Sequence, residues 1–216
     1  EMRNYKAIIF DMDGVLFDTE TFYYRRREIF LEGKGISIDH LEPNIFIGGN
    51  MRQIWKLILQ ENYENWDIGK LQDEYSMFKE SNPLPYKNLI FSDTENVIKE
   101  LAEKGFRLAL ASSSTMNDIL RALYETGIAS YFDVILSGEN FREGKPNPAI
   151  YKEAVKQLKC ENSEVLVIED SEKGILAGVS AELEVWAIED KYFGMNQSLS
   201  DKLVADLTQV LDCIIK

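Results

Sequence analysis

Three short apolar runs in this chain each stop at side chains that can hold an ion. Lys6-Ala7-Ile8-Ile9-Phe10 leads into Asp11-Met12-Asp13-Gly14, Phe106-Arg107-Leu108-Ala109-Leu110-Ala111 into Ser112-Ser113-Ser114, and Val165-Leu166-Val167-Ile168 into Glu169-Asp170-Ser171. Runs of this length without polar alternation read as strands buried on both faces, the habit of parallel sheets. In an open α/β sheet the ligand crevice lies at the carboxyl ends of the strands. The three polar ends are therefore expected to converge on one place.

The first end carries the sharpest chemistry. Asp11 and Asp13 are two residues apart at the expected sheet mouth, and two bare carboxylates held there raise one pKa or require a cation. A magnesium ion takes hard oxygen ligands, and with it one carboxylate can serve as nucleophile and the other as proton donor. Alone, Asp-x-Asp-Gly arises by chance in about one chain in twenty of this length, and a polar turn after a strand explains it as well. The other ends add weight. A serine hydroxyl and free main-chain N–H groups after the second run can hold a phosphate oxygen, although Ser114 or Thr115 also suits the N-cap of the next helix. Glu169 and Asp170 add hard oxygens, while Asp170 or Ser171 suits another N-cap. In Gly144-Lys145-Pro146-Asn147-Pro148, Asn147 and Pro148 read as N-cap and first helical residue. Lys145 precedes them, where an ammonium could reach an anion at the sheet mouth.

Four segments carry a resemblance: Asp11-Met12-Asp13-Gly14-Val15-Leu16-Phe17-Asp18-Thr19-Glu20, Leu110-Ala111-Ser112, Lys145-Pro146-Asn147-Pro148 and Glu169-Asp170-Ser171-Glu172-Lys173-Gly174-Ile175. In order, and across essentially the whole chain, they resemble the haloacid dehalogenase superfamily in its β-phosphoglucomutase-like phosphatase and phosphomutase branch. The resemblance implies an α/β fold, with a parallel-sheet, Rossmann-like core and a small inserted α-helical cap domain. It also implies Mg²⁺-dependent phosphoryl transfer. Asp11 would become an aspartyl phosphate and Asp13 would be the general acid and base. Ser112 would hydrogen-bond the transferring phosphoryl group, and Lys145 would offset the charge of Asp11 and the phosphate. Asp11, the Asp13 carbonyl and Asp170, with Glu169, would hold the metal. Gly49, Arg52 and Ser113 would contact the substrate. These roles suit the chemistry, because phosphoryl transfer spreads charge over the phosphoryl oxygens and needs positioning and positive charge. Asp13 also separates this reading from the dehalogenases, which act on carbon and need no proton donor two residues after the nucleophile.

The rest of the chain divides on periodicity. After a strand near residues 5–10 the pattern turns helical from Phe17 to about Leu84, and the expected domains are residues 1–16 with 86–216 as core and 17–85 as cap. Phe22, Ile29 and Phe30 mark one cap helix. Met51, Ile54, Trp55, Ile58 and Leu59 mark a second behind an Asn50 N-cap, and Ile68, Leu71, Tyr75 and Phe78 mark a third, stopped by Asn82-Pro83-Leu84-Pro85. These stripes read as cap core. From Ser92 onward helix and strand alternate, which predicts a parallel sheet with right-handed crossovers. Ser92-Asp93-Thr94-Glu95 reads as a capping box, Gly105 and Gly127 as helix C-caps. Strands are expected near 106–111, 133–136, 165–169 and 184–188, with a closing helix on Leu207, Val210, Leu211 and Ile214. Near Glu182, before the last of these strands, the family usually has glycine, so the chain there must hold a left-handed residue or end its helix differently.

Composition narrows the partners. The 216 residues are 45% hydrophobic and carry a net charge of −13, which argues against nucleic acid and anionic membranes and also repels phosphorylated ligands at long range. No apolar run is long enough to span a bilayer, and no signal peptide is read at the N-terminus, where Glu1 before Met2 looks like an added residue. Cys160 and Cys213 fit no metal spacing, so a reduced, cytoplasmic protein is expected, acting as a monomer on a small phosphorylated metabolite.

The cap departs from the mutase pattern. A β-phosphoglucomutase has a histidine after Asp-Thr on the first cap helix, where this chain has Tyr23, and a lysine before a cap-loop glycine, where it has Gly48 if Gly49 is the match. The arginine three residues later is kept as Arg52, and Arg25, Arg26 and Arg27 read either as further positive charge or as a solvated helix face. The lone histidine, His40, reads as a surface residue. Hydrolysis is therefore expected ahead of mutase activity. A non-catalytic phosphometabolite-binding protein is the reading from another class, and the presence of both Asp11 and Asp13 disfavours it. Because the cap leaves directly after the nucleophile loop and returns near Pro83-Leu84-Pro85, the two linkers read as a hinge whose closure would exclude water.

Overall fold

The fold is laid down around β1 (Ala7–Phe10), whose four residues are all fully buried. In this computed structural model, which describes residues 4–215, β1 lies inside an all-parallel sheet with β2 (Arg107–Ser112), β3 (Val134–Ser137), β4 (Val165–Glu169), β5 (Glu184–Ile188) and β6 (Lys202–Val204), in the order β3-β2-β1-β4-β5-β6. Glu1 and Met2 lie outside the described residues. The short edge strand β6 was not expected; only three residues long and half exposed, it lacks the apolar run that marks the others.

The helices are α1 (Glu20–Gly33), α2 (Trp55–Leu59), α3 (Ile68–Ser81), α4 (Tyr86–Leu89), α5 (Thr94–Glu103), α6 (Met116–Glu125), α7 (Ala149–Leu158), α8 (Glu172–Ser180) and α9 (Leu207–Ile214). Strand residues alternate between the two sheet faces. Ile8, Phe10, Leu108, Leu110, Leu166 and Ile168 pack with α5, α6 and α9, while Ala7, Ile9, Ala109, Val165 and Val167 pack with α7 and α8. Both faces are thus covered, as the unalternating strands require. A third apolar cluster is made within residues 30–78, from Phe30, Leu31, Met51, Ile54, Trp55, Ile58, Leu59, Leu71 and Tyr75 among others.

Register brings the polar strand ends together. Phe10 stands level with Leu110 on one side and Ile168 on the other, so the next residues, Asp11, Ala111 and Glu169, share one level at the carboxyl edge. The chain then leaves and re-enters the core through two segments that pair with each other. Phe17 bridges both Asp13 and Ile90, Asp18 N donates to Leu89 O at 2.7 Å, and Phe91 N donates to Leu16 O at 3.1 Å.

Several local expectations change. The second cap helix is broken: Met51–Gln53 forms a 3₁₀ turn, Ile54 leaves helical geometry at φ −122°, ψ 3°, and α2 follows. Asn50 stands at the N-cap of that turn, as expected, with Gln53 N donating to the Asn50 carbonyl and Asn50 N to Gln53 Oε1, each at 3.2 Å. The Ser92–Glu95 capping box does not form, because Thr94 Oγ1 donates to Leu16 O at 2.8 Å and Asp93 accepts from Thr208 instead. These tertiary partners outcompete local capping. Pro148, expected as first helical residue, is the N-cap of α7, and Asn147 Oδ1 accepts from Ala149 N at 2.9 Å. Thr115 and Ser171 cap α6 and α8. Gly105 and Gly127 take positive φ after their helices, and Glu182 takes φ 62°, the uncommon left-handed conformation for a residue with a Cβ.

Candidate active site

Asp11, Glu169 and Asp170 bring a carboxylate oxygen each to within 4.8 Å of one another, and all three are buried. Lys145, 1% exposed, reaches into this group from the loop before α7. Its Nζ donates to Asp11 Oδ1 at 3.1 Å, to Glu169 Oε1 at 2.7 Å and to the Ala111 carbonyl at 2.8 Å. Burial alone would lower the ammonium's pKa, but Asp11 and Glu169 outweigh it and raise it, so the lysine stays charged.

One ammonium does not balance three carboxylates. Burial, and then the mutual repulsion of the acids, pushes Asp170 well above the usual carboxylate range and Glu169 up to about 7. Asp11 is raised by burial and by Asp13 against the pull of Lys145. Glu169 is already engaged: Oε1 accepts from Lys145 and from the Tyr151 hydroxyl, and Oε2 from Asp170 N. Asp170 Oδ1 is buried with no partner. An orphaned hard oxygen beside excess negative charge fits a divalent cation that binds carboxylates and carbonyls. The backbone makes room for this arrangement: a Cβ on Gly14, at φ 81°, would overlap the Asp170 carboxylate, and one on Gly174 would overlap that of Glu169.

Asp13 is held in a different way. It accepts from Thr19 Oγ1 and, at 2.7 Å, from Ser114 Oγ. Burial lifts its carboxyl to about 6, against those two hydrogen bonds, which pull it down. A buried carboxyl raised toward neutrality can both give and take a proton. Ser112 is fully buried, and its Oγ accepts from Ser114 N at 3.1 Å.

Above these groups lies a cavity of about 80 Å³ bordered by the helical segment, with Gly48, Gly49, Asn50, Ser113, Arg26, Arg27 and Lys79 among its lining residues. Ser113 Oγ donates to Gly48 O at 2.8 Å. Arg52 does not line the cavity; its Nη2 donates to the Gly138 and Phe141 carbonyls, each at 3.2 Å. Tyr23 is buried, its hydroxyl 2.8 Å from that of Tyr86. Of the arginine triplet, Arg25 is on the solvated face and Arg26 is buried, with Nη2 2.9 Å from Asp118. His40 is exposed, its Nε2 2.9 Å from Leu57 O.

Sequence reasoning missed Thr19 and Ser114 as partners of Asp13, Tyr151 as partner of Glu169, and the cavity lining from Lys79, and it left Arg27 open between added positive charge and a solvated helix face. Tyr151 was the most accessible of these: it is a hydroxyl on the apolar stripe Ile150, Tyr151, Ala154, Val155 and Leu158, and a buried hydroxyl needs a partner.

Comparison with known proteins gives a consistent picture. Residues 8–188 match the family model described as haloacid dehalogenase-like hydrolase. The chain is 28% identical over 204 residues to a phosphorylated carbohydrates phosphatase of Thermotoga maritima, covering 91% of this chain and 88% of that protein. It is 25% identical to a phosphoglycolate phosphatase of Aquifex aeolicus, covering 96% and 97%. Its fold is shared with a β-phosphoglucomutase of Clostridium difficile, at a TM-score of 0.80 and 22% identity over 95% of this chain and 93% of the other. It is likewise shared with CbbY of Rhodobacter sphaeroides, at a TM-score of 0.79 and 21% identity over 98% and 100%. Among the described residues no helix is long and apolar enough to cross a membrane.

Proposed function

The chain belongs to the haloacid dehalogenase-like hydrolase family, and from that premise we propose that it hydrolyses a small phosphorylated metabolite through an aspartyl phosphate on Asp11. Asp11 attacks phosphorus, the bond to the leaving oxygen breaks, and Asp13 donates the proton that the departing alkoxide takes up. Asp13, now a carboxylate, removes a proton from water as that water attacks the phosphoryl group on Asp11, releasing inorganic phosphate and restoring both residues. Lys145 offsets the charge on Asp11 throughout, and Ser112 orients a phosphoryl oxygen. Mg²⁺, held by Asp11, Asp170 and the Asp13 carbonyl with Glu169 behind them, would supply charge stabilisation for the phosphoryl oxygens. Thr19 and Ser114 fix the Asp13 carboxyl in place.

The observation that carries this reading is the buried carboxylate cluster with one ammonium and one orphaned oxygen. A buried structural ion pair would be balanced and fully hydrogen-bonded; this one is neither, and its surplus suits a cation and a transferring phosphoryl group. Two named phosphatases among the relatives support the same direction. The test is release of free phosphate from a panel of short phosphomonoesters, with Mg²⁺ and with chelator. Release that needs Mg²⁺ supports the reading; equal release in chelator contradicts it.

A mutase must grip a second phosphate on the cap. Arg52 would have to leave the Gly138 and Phe141 carbonyls to do so, and the positions where the mutase pattern has histidine and lysine hold a buried phenol paired with Tyr86 and a glycine against Ser171. Both features favour water as the acceptor.

A further inference from the structure

We propose that Arg27, Lys79 and Asn50 form a subsite for a carboxylate carried by the substrate's leaving group, so that the enzyme selects short acidic phosphomonoesters. The inference deepens the phosphatase reading and rests on it. All three side chains line the cavity that also exposes Asp11 and Asp13. Arg27 and Asn50 carry unspent polarity. Arg27 Nε is buried without a partner while its guanidinium lies 4.8 Å from the centre of the Phe46 ring, and both amide atoms of Asn50 are buried without partners. Lys79 Nζ sits 4.7 Å from the centre of the Tyr75 ring. Arg26 also has an unpartnered Nε, but its Nη groups are taken up by Asp118 and by the Asn82 carbonyl.

The carboxyl groups lining the cavity are Asp11, Asp13, Glu20 and Asp118. Asp11 and Asp13 are committed to the phosphoryl group and Asp118 to Arg26, while Glu20 is repelled by Asp13 and Asp11 and drawn to Arg27. The helical side of the cavity thus holds two cations and an amide: Arg27 feels Glu20, and Lys79 feels Asp118 and Glu139, but among the described residues neither cation forms an ion pair with a carboxylate. Unsatisfied buried donors are costly, and a planar carboxylate matches a guanidinium edge. The position where the mutase pattern has a lysine for a second phosphate holds Gly48, which favours a carboxylate here over a second phosphate. A subsite of this kind also answers the net charge of −13, which gives an acidic substrate no attraction from afar.

The test compares 2-phosphoglycolate with its amide, 2-phosphoglycolamide, which keeps the shape and loses the charge, in the presence of Mg²⁺. The expected result is a wild-type kcat/KM at least about tenfold higher for the acid, carried mainly by KM. Arg27→Ala and Lys79→Ala should each narrow that ratio, and Arg27→Lys should keep part of it. Equal treatment of acid and amide by the wild-type enzyme overturns the subsite, whatever the variants do. So does faster turnover of glucose 1,6-bisphosphate than of the acid. If neither ester nor p-nitrophenyl phosphate releases phosphate, the phosphatase reading itself fails, and the subsite falls with it.

Discussion

The Arg26 guanidinium on α1 lies 2.9 Å from the Asp118 carboxylate on α6, and both side chains are buried. The pair joins α1 to α6, and Arg26 also donates to the Asn82 carbonyl just after α3, at 3.0 Å. Removing one partner strands the other charge. Arg26→Ala is expected to cost about 3–5 kcal/mol of unfolding free energy. The double change Arg26→Met with Asp118→Leu should recover most of it, since burying two apolar groups carries no desolvation penalty. Urea unfolding of the three proteins checks this, and a single variant within ~0.5 kcal/mol of wild type contradicts it.

Asp13 should separate from Asp11 by leaving-group chemistry. Asp13→Asn removes a proton donor that Thr19 and Ser114 hold in position, an effect of about 10²–10⁴-fold on kcat for an alkyl phosphate. Formation of the aspartyl phosphate should suffer less with p-nitrophenyl phosphate, whose leaving group needs no proton. Single-turnover release of nitrophenolate measures that step alone. A deficit as deep as with the alkyl ester would show that Asp13 acts otherwise than as an acid.

Much of this candidate site is legible in the sequence. Asp11, Glu169 and Ser112 each end an apolar run, and the parallel register of β1, β2 and β4 carries such ends to one edge without further information. Lys145 was placed by its position before a helix start. What the sequence could not carry was the choice among long-range partners. Thr94 and Asp93 look like a capping box, yet they bond Leu16 and Thr208. Arg52 matches a substrate-binding position by spacing, yet it meets main-chain carbonyls at Gly138 and Phe141. Arg25, Arg26 and Arg27 are consecutive and chemically equal, and only the helix phase sends one to solvent, one to Asp118 and one to the cavity.

Lys79 gives a pH prediction. Burial, with Arg26 and Arg27 nearby, lowers its ammonium to about 8, against Asp118 and Glu139, which raise it; the Tyr75 ring faces the same ammonium. The charge is therefore present below pH 8 and lost above it. For an acidic ester, kcat/KM should fall as pH rises through that value, because this ratio follows titration of the free enzyme. Lys79→Arg keeps its charge and should push the fall to higher pH. A pH profile above 7.5 with 2-phosphoglycolate checks it, and identical profiles for the two proteins contradict it.

Asp170 should govern metal dependence more than Glu169 does. Its Oδ1 is the orphaned oxygen, while both Glu169 oxygens already accept hydrogen bonds. Asp170→Asn is expected to raise the Mg²⁺ concentration for half-maximal phosphate release by about 10-fold or more, as loss of one oxygen ligand implies. Glu169→Gln, which acts through Lys145 and Tyr151, should fall chiefly on kcat. Mg²⁺ titrations of both variants decide the order.

The central claim is that Asp11 carries the phosphoryl group between substrate and water. Its most direct test is to quench the enzyme during turnover, reduce it with borohydride, which converts an aspartyl phosphate into homoserine, and read the peptides by mass spectrometry. Homoserine is expected at position 11, absent without Mg²⁺ and absent from Asp11→Asn. Homoserine at any other aspartate, or steady turnover by Asp11→Asn, would contradict it.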